Sequence, residues 1–253
     1  YRSNLKFCCK INAMEIQIAV AKTNRYAVSE SGDTLEVVER PNGGMSVVLA
    51  DGQTSGRGAK AISTMVVRKV ISLLAEGVRD GAAARAASDY LYTERYGKVS
   101  ATLNILSADL QSGTLVITRN NPSPVFIARG DNIECLCSES MPIGTSRNIR
   151  PAITEIALED WTSIVLYTDG IVHAGDRYGQ VLDITTLLES LLDDQDPSSQ
   201  EIADLLLAQA IQLDQGRPND DMSVVVLRVL PFESDSIRRM NVRLPVVFSP
   251  SQI

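Results

Sequence analysis

The chain has 253 residues, 44% of them apolar, which is enough to bury the core of one large domain or two small ones and argues against a disordered segment. Its 31 acidic residues against 24 basic ones leave a formal net charge of −7. That balance excludes a sequence-nonspecific nucleic-acid binder, which needs a basic face for the phosphate backbone. No stretch resembles the ~20 apolar residues of a membrane span. The N-terminus lacks the basic start and apolar run of a signal peptide, so a cytoplasmic protein without membrane attachment is expected.

In chain order, Ile16, Ile18 and Val20 alternate with Glu15, Gln17 and Ala19, the period of a strand over 15–21 with one buried face. Met14 is a candidate native start, leaving 1–13 as an N-terminal extension. A wholly apolar strand over 45–50 ends directly at Asp51. Gly52, Gly56 and Gly58 then make a flexible loop, and Ala61, Met65, Val66, Val70, Leu73 and Leu74 recur at helical spacing. A second helix is expected over 82–94, with Gly77 and Gly81 marking the break.

Short strands follow over 101–108, 114–119, 125–129 and 133–136, separated by Gln111-Ser112-Gly113, Asn120-Asn121-Pro122 and Gly130-Asp131-Asn132. Gaps this short predict an antiparallel meander. Two further strands cover 153–158 and 163–167, the second ending at Thr168-Asp169-Gly170. Helices over 184–192 and 199–213 follow, the latter announced by Pro197-Ser198-Ser199 before Glu201, and a last strand covers 222–230. Strands in both halves and helices in pairs give an α+β sandwich, sheets inside and helices outside, in one domain over 14–230. Residues 231–253, with Arg238, Arg239 and Arg243, are expected as a tail or a packed extension.

Cys8, Cys9, Cys135 and Cys137 have neither zinc-ribbon spacing nor the number for a disulfide framework. Cys135 and Cys137 share a face of a strand and are expected as small core residues.

Four acidic stations stand out: Ser31-Gly32-Asp33, Asp51-Gly52, Tyr167-Thr168-Asp169-Gly170 and Asn219-Asp220-Asp221-Met222-Ser223. Three of them adjoin expected strands, so their carboxylates would emerge at strand ends where a fold can gather them. Carboxylates gathered without cationic partners repel one another, and hard divalent cations bound through oxygen relieve this. Two such ions sharing a water lower its pKa enough for in-line attack on a phosphate ester, with no protein nucleophile required. That suits a chain with one histidine and no Gly-x-Ser-x-Gly elbow.

Taken in order, these motifs resemble the metal-dependent protein phosphatase family (PPM, protein phosphatase 2C-like), in its bacterial SpoIIE/RsbU/RsbX branch, over roughly 15–230. The resemblance implies a four-layer αββα sandwich, two central antiparallel sheets flanked by helix pairs, and a serine/threonine protein phosphatase with two Mn²⁺ or Mg²⁺. It implies that Asp51 bridges both metals, that Gly52 offers its carbonyl to the second, that Asp169 and Asp220 complete the first, and that Asp33 lies on the second-metal side. Asp221 is then a neighbour that orients the site. The implied substrate is a phosphorylated partner of STAS type, an anti-sigma-factor antagonist or stressosome component; a silent binding module of the same fold and a small-molecule phosphomonoesterase stay open as alternatives. Eukaryotic relatives place a histidine where Gln53 stands, and an upstream arginine that holds phosphate. Arg25 and Arg57 are the candidates for that clamp here. His173 is expected at the rim, and Trp161 as packing at the start of a strand.

Overall fold

The molecule, a computed structural model, describes residues 14–53, 55–130, 132–194, 197–232 and 237–245. The elements run β1 (Met14–Thr23), β2 (Asp33–Glu39), β3 (Met45–Gly52), α1 (Gly56–Ala75), α2 (Asp80–Arg95), β4 (Ala101–Asp109), β5 (Thr114–Asn120), β6 (Val125–Arg129), β7 (Asn132–Leu136), β8 (Ala152–Ala157) and β9 (Thr162–Tyr167). They continue with a single turn α3 (Asp169–Val172), then α4 (Ile184–Asp194), α5 (Ser199–Leu213) and β10 (Met222–Pro231). The strands form two five-stranded antiparallel sheets, β1-β10-β9-β6-β7 and β2-β3-β4-β5-β8.

Why the apolar runs are continuous follows from the layers. Along β3, Val47 and Leu49 face the opposite sheet while Val48 and Ala50 face α1 and α2. Along β10, Val225, Leu227 and Val229 enter the layer between the sheets, and Val224 and Val226 enter the layer under α4 and α5. Both faces of these strands are buried, so no polar alternation survives. Each fully buried Val or Leu contributes about 1.5–3 kcal/mol, and three such layers hold the αββα sandwich together. The expected fold is the one found.

Local signals set the helix ends. Ser198 accepts from the Glu201 backbone N–H while the Glu201 carboxylate accepts from Ser198 N, a reciprocal cap that starts α5. Tyr96 at φ 55° ends α2 in the left-handed region.

Several expectations need correction. β1 is covered on both faces rather than one: Ala19 and Ala21 pack under the helices, and Ile16, Ile18 and Val20 pack between the sheets. β2 was not foreseen, because three of its seven residues are acidic and such residues are poor strand formers. The middle strands are not one meander. β4 and β5 pair in one sheet, β6 and β7 in the other, and β8 returns beside β5. The glycine-rich loop is shorter than expected, since Gly56 and Gly58 belong to the first turn of α1. Cys135 and Cys137 are exposed, because β7 is an edge strand with its outer face in solvent. Cys8, Cys9 and the whole 1–13 extension lie outside the described residues, as do 246–253; residues 237–245 form no regular element.

Candidate metal centre

Strand register gathers the acidic stations. Asp33 opens β2 and Asp51 lies near the end of β3, and the two are directly paired across the ladder. On the other sheet, β9 ends at Tyr167, so Thr168 and Asp169 leave it beside the start of β10, where Val224 pairs with Tyr167. Both sheets thus deliver carboxylates to one end of the sandwich. Two glycines let the pieces approach. A Cβ on Gly52 would lie 2.1 Å from the Ala59 carbonyl, so the first turns of α1 rest on the backbone beside Asp51. A Cβ on Gly170 would lie 2.1 Å from the Asp221 carbonyl, so the Asp169 and Asp220 loops touch backbone to backbone.

Asp33 is fully buried. Its Oδ2 accepts from Ser223 Oγ at 2.5 Å and Thr168 Oγ1 at 3.1 Å, whereas Oδ1 has no partner. Thr168 also accepts from Ser223 N at 3.0 Å, which clips the two acidic loops of the second sheet together around Asp33 of the first. Burial raises the Asp33 pKa, opposed by the Ser223 hydroxyl and by Lys22. Burial also raises that of Asp51, reinforced by Asp33, Asp169 and Asp220. Asp220 is raised by burial too, with Asp169 and Asp221 adding and its bond from the Asp221 N–H, together with Arg25, opposing. Four carboxylates therefore lie in one another's field, and the charged forms of Asp33, Asp51 and Asp220 are disfavoured.

Their oxygen donors, and the orphaned buried Oδ1 of Asp33, fit a hard divalent cation. Among the described residues, no three His, Cys, Asp or Glu side chains already surround one point in ligand geometry. The carboxylates are assembled by the fold but not closed on a common centre.

Asp221 is buried and both its oxygens are used. Oδ2 accepts from Gly32 N at 2.7 Å and Oδ1 from Arg25 N at 2.9 Å. It therefore ties the loop before Asp33 to the loop that carries Asp220. Arg25 reaches Ser55 Oγ with Nη1 at 3.4 Å and lies close enough to favour the charged form of Asp220. Arg57 is 94% exposed and faces Glu30 at 3.8 Å. Gln53 points elsewhere as well: its Oε1 accepts from Ser100 N at 2.9 Å and its N–H donates to Ser100 O at 3.0 Å. His173 is exposed at the rim and bonds Asp176 at 2.8 Å. Trp161 is exposed at φ 59° in the turn before β9.

Sequence reading missed three contributors. Lys22 and Lys60 donate to the Asp33 carbonyl at 2.6 and 2.8 Å, so the acidic end does have cationic neighbours, held on the backbone behind the carboxylate. Burial lowers the Lys22 pKa and Asp33 opposes this. Asp214, buried, accepts from Gly175 N at 2.9 Å, Asn219 N at 2.7 Å and Asn219 Nδ2 at 3.0 Å. It joins the segment after α3 to the loop before Asp220. Only the polar neighbours of the motifs, Thr168, Asn219 and Ser223, carried a signal, since they lie inside the quoted motifs.

Residues 41–230 match the family model described as Stage II sporulation protein E (SpoIIE). The Stage II sporulation protein E of Bacillus subtilis (strain 168) is 25% identical over 248 residues, which span 93% of this chain but 29% of that protein. The structure of the PP2C phosphatase domain and a fragment of the regulatory domain of SpoIIE from Bacillus subtilis superposes with a TM-score of 0.75 at 22% identity, covering 87% of this chain and 65% of that one. The catalytic domain of the serine/threonine protein phosphatase PstP, in complex with two manganese ions, gives a TM-score of 0.66 at 17% identity, covering 86% of this chain and all of that one (100%). The fold is that of PP2C phosphatase domains. With the acidic end of the sandwich, the shared fold and a family match over three quarters of its length, the chain belongs to the SpoIIE family.

Proposed function

We propose that this chain is a metal-dependent serine/threonine protein phosphatase, hydrolysing phosphoserine or phosphothreonine on a partner protein. The observation that carries the reading is the meeting of Asp33 and Asp51 across one sheet with Asp169 and Asp220 from the other, a carboxylate surplus that repels itself and leaves Asp33 Oδ1 unpartnered. Two Mn²⁺ or Mg²⁺ would be held by Asp33, Asp51, the Gly52 carbonyl, Asp169 and Asp220. Such a pair supplies Lewis acidity and a nucleophilic water at neutral pH. The manganese-bound PstP neighbour supports this choice of cofactor.

The protein's own residues position and clamp. Ser223 and Thr168 hold Asp33 Oδ2, so that Oδ1 alone is free to act as a donor. Asp221 fixes the Gly32 and Arg25 backbones, which sets the distance between Asp33 and Asp220. Arg25 is the better candidate for the phosphate clamp, because its charge acts on Asp220 and its backbone is tied to Asp221, while Arg57 is highly exposed and faces Glu30. Gln53 cannot donate a proton at neutral pH, and its amide oxygen is engaged with Ser100. Leaving-group protonation therefore comes from water or from a group other than Gln53.

Among phosphoproteins, a STAS-type anti-sigma-factor antagonist or stressosome component is the substrate that the SpoIIE/RsbU/RsbX branch implies. Hydrolysis of p-nitrophenyl phosphate with and without Mn²⁺ tests the enzyme reading: activity with metal and none in EDTA is expected, and inactivity with every metal would leave a binding module. Faster turnover of a phosphorylated STAS protein than of metabolite phosphates is expected, and the reverse order would move the substrate to small molecules.

A further inference from the structure

The outward face of α1 is basic in a chain that is acidic. Its twenty residues carry Arg57, Lys60, Arg68 and Lys69 and no Asp or Glu. At 100° per residue, positions 57, 60, 64, 68 and 72 fall on one stripe. Residues of this stripe line an open groove of about 810 Å³, whose other wall is α2, with Tyr90 and Arg95. Five cations and one carboxylate, Glu30, face it. The groove has a direction: at its N-terminal end Lys60 donates to the Asp33 carbonyl at 2.8 Å and to Thr34 Oγ1 at 2.9 Å, so that end lies against the backbone of the strand that carries Asp33. Farther along, Lys69 stands 5.6 Å over the Tyr90 ring, which pins both walls.

From Arg57 to Ser72 the stripe runs about 22 Å, the length of six or seven residues of extended peptide. Neither 1–13, with Arg2, Lys6 and Lys10 and no acidic residue, nor 231–253, with three arginines against Glu233 and Asp235, is net acidic. The charge of the groove calls for a ligand of the opposite sign, and the contact of Lys60 with the backbone of Asp33 at one end points to the molecule being processed beside it.

We propose that this groove docks an acidic segment of the phosphoprotein substrate, laid along α1 with the phosphorylated residue at the Lys60 end. The proposal rests on the phosphatase reading for the identity of the ligand, but binding can be measured without turnover. Surface charges act over about a Debye length, so the interaction is salt-sensitive and selects peptides by flanking charge.

The test uses the whole chain and a fluorescein-labelled peptide with one phosphoserine flanked by glutamates, beside the same peptide flanked by alanines. Anisotropy in EDTA is expected to show at least ~10-fold tighter binding of the acidic peptide, lost in 0.5 M NaCl and in R68E/K69E, with Arg68→Gln/Lys69→Gln giving an intermediate loss. Turnover of p-nitrophenyl phosphate with Mn²⁺ is expected to be unchanged in both variants, since neither residue touches the carboxylate cluster. Equal binding of the two peptides, or a preference retained in R68E/K69E, overturns the proposal. So does a fall in p-nitrophenyl phosphate turnover in the milder Gln pair, or tighter binding of a single-stranded DNA or anionic vesicle than of the acidic peptide. Peptide preference without any turnover refutes the phosphatase reading and leaves docking standing; turnover without preference does the reverse.

Discussion

Replacing Gly170 by alanine isolates the contact that joins the two acidic loops of one sheet. Gly170 is helical, so its φ suits alanine, and an exposed Gly-to-Ala change in a helix ordinarily gains ~0.5–1 kcal/mol. Here the new Cβ would sit 2.1 Å from the Asp221 carbonyl oxygen, against 3.4 Å for an ordinary contact. The backbones must part by roughly 1.3 Å, and overpacking of this kind costs ~1–3 kcal/mol. For a domain of this size that lowers Tm by ~2–12 °C. Because the parting separates Asp169 from Asp220, and a misplacement of ~1 Å costs ~10²-fold, turnover of p-nitrophenyl phosphate should fall ~10²-fold with Mn²⁺. Gly58→Ala is the control: its Cβ meets nothing within 4 Å, so stability should hold or rise and activity persist. Thermal scanning and Mn²⁺-dependent kinetics read both variants. A Gly170→Ala protein with wild-type Tm and turnover would refute the account of how the loops are brought together.

Asp169→Asn should abolish turnover and weaken Mn²⁺ binding in calorimetry, while retained activity would remove Asp169 from the ligand set. Asp214→Ala leaves three N–H groups without their carboxylate, at ~1–3 kcal/mol for a buried unsatisfied group, so a lower Tm and weaker Mn²⁺ binding are expected in scanning and titration. Arg25→Ala should lower kcat/KM for a phosphopeptide well beyond the effect of Gln53→Ala, whose side chain is turned to Ser100. In metal-free protein the pKa values of Asp33 and Asp51 are raised, so the folded state holds more protons than the unfolded one above the ordinary carboxylate range near pH 4. The stability these two groups contribute is fully present below that range and is lost as pH climbs through the raised values. Scanning in EDTA from pH 5 to pH 9 should show a falling Tm that Mn²⁺ restores at the alkaline end, and a Tm rising with pH in EDTA would contradict the carboxylate repulsion.

The sandwich was legible because its inner strands, buried on both faces, read as unbroken apolar runs, and its acidic motifs abut those runs. β2 was not, since Asp33, Glu36 and Glu39 interrupt the apolar pattern of an edge strand in which Asp33 is itself buried. The division of β4 to β9 between two sheets was hidden for a different reason: short turns announce neighbours in sequence, not which sheet a strand joins. At the site, the Asp-Gly pairs could be read as motifs, but the clash that makes Gly52 and Gly170 necessary is a tertiary contact. Lys22 and Lys60 carried no signal, because what places them at Asp33 is the pairing of β1 with β10 and the packing of α1 on β2. Cys135 and Cys137 show the limit of face arguments. Shared orientation says nothing of which side is wet.

Anomalous scattering from crystals grown with Mn²⁺ decides whether four sequence-distant carboxylates make one two-metal centre. Two ions ~3.5–4 Å apart, both touching Asp51, with Asp169 and Asp220 on one and Asp33 on the side of the other, are predicted. A single ion, or none within reach of Asp51, would contradict it.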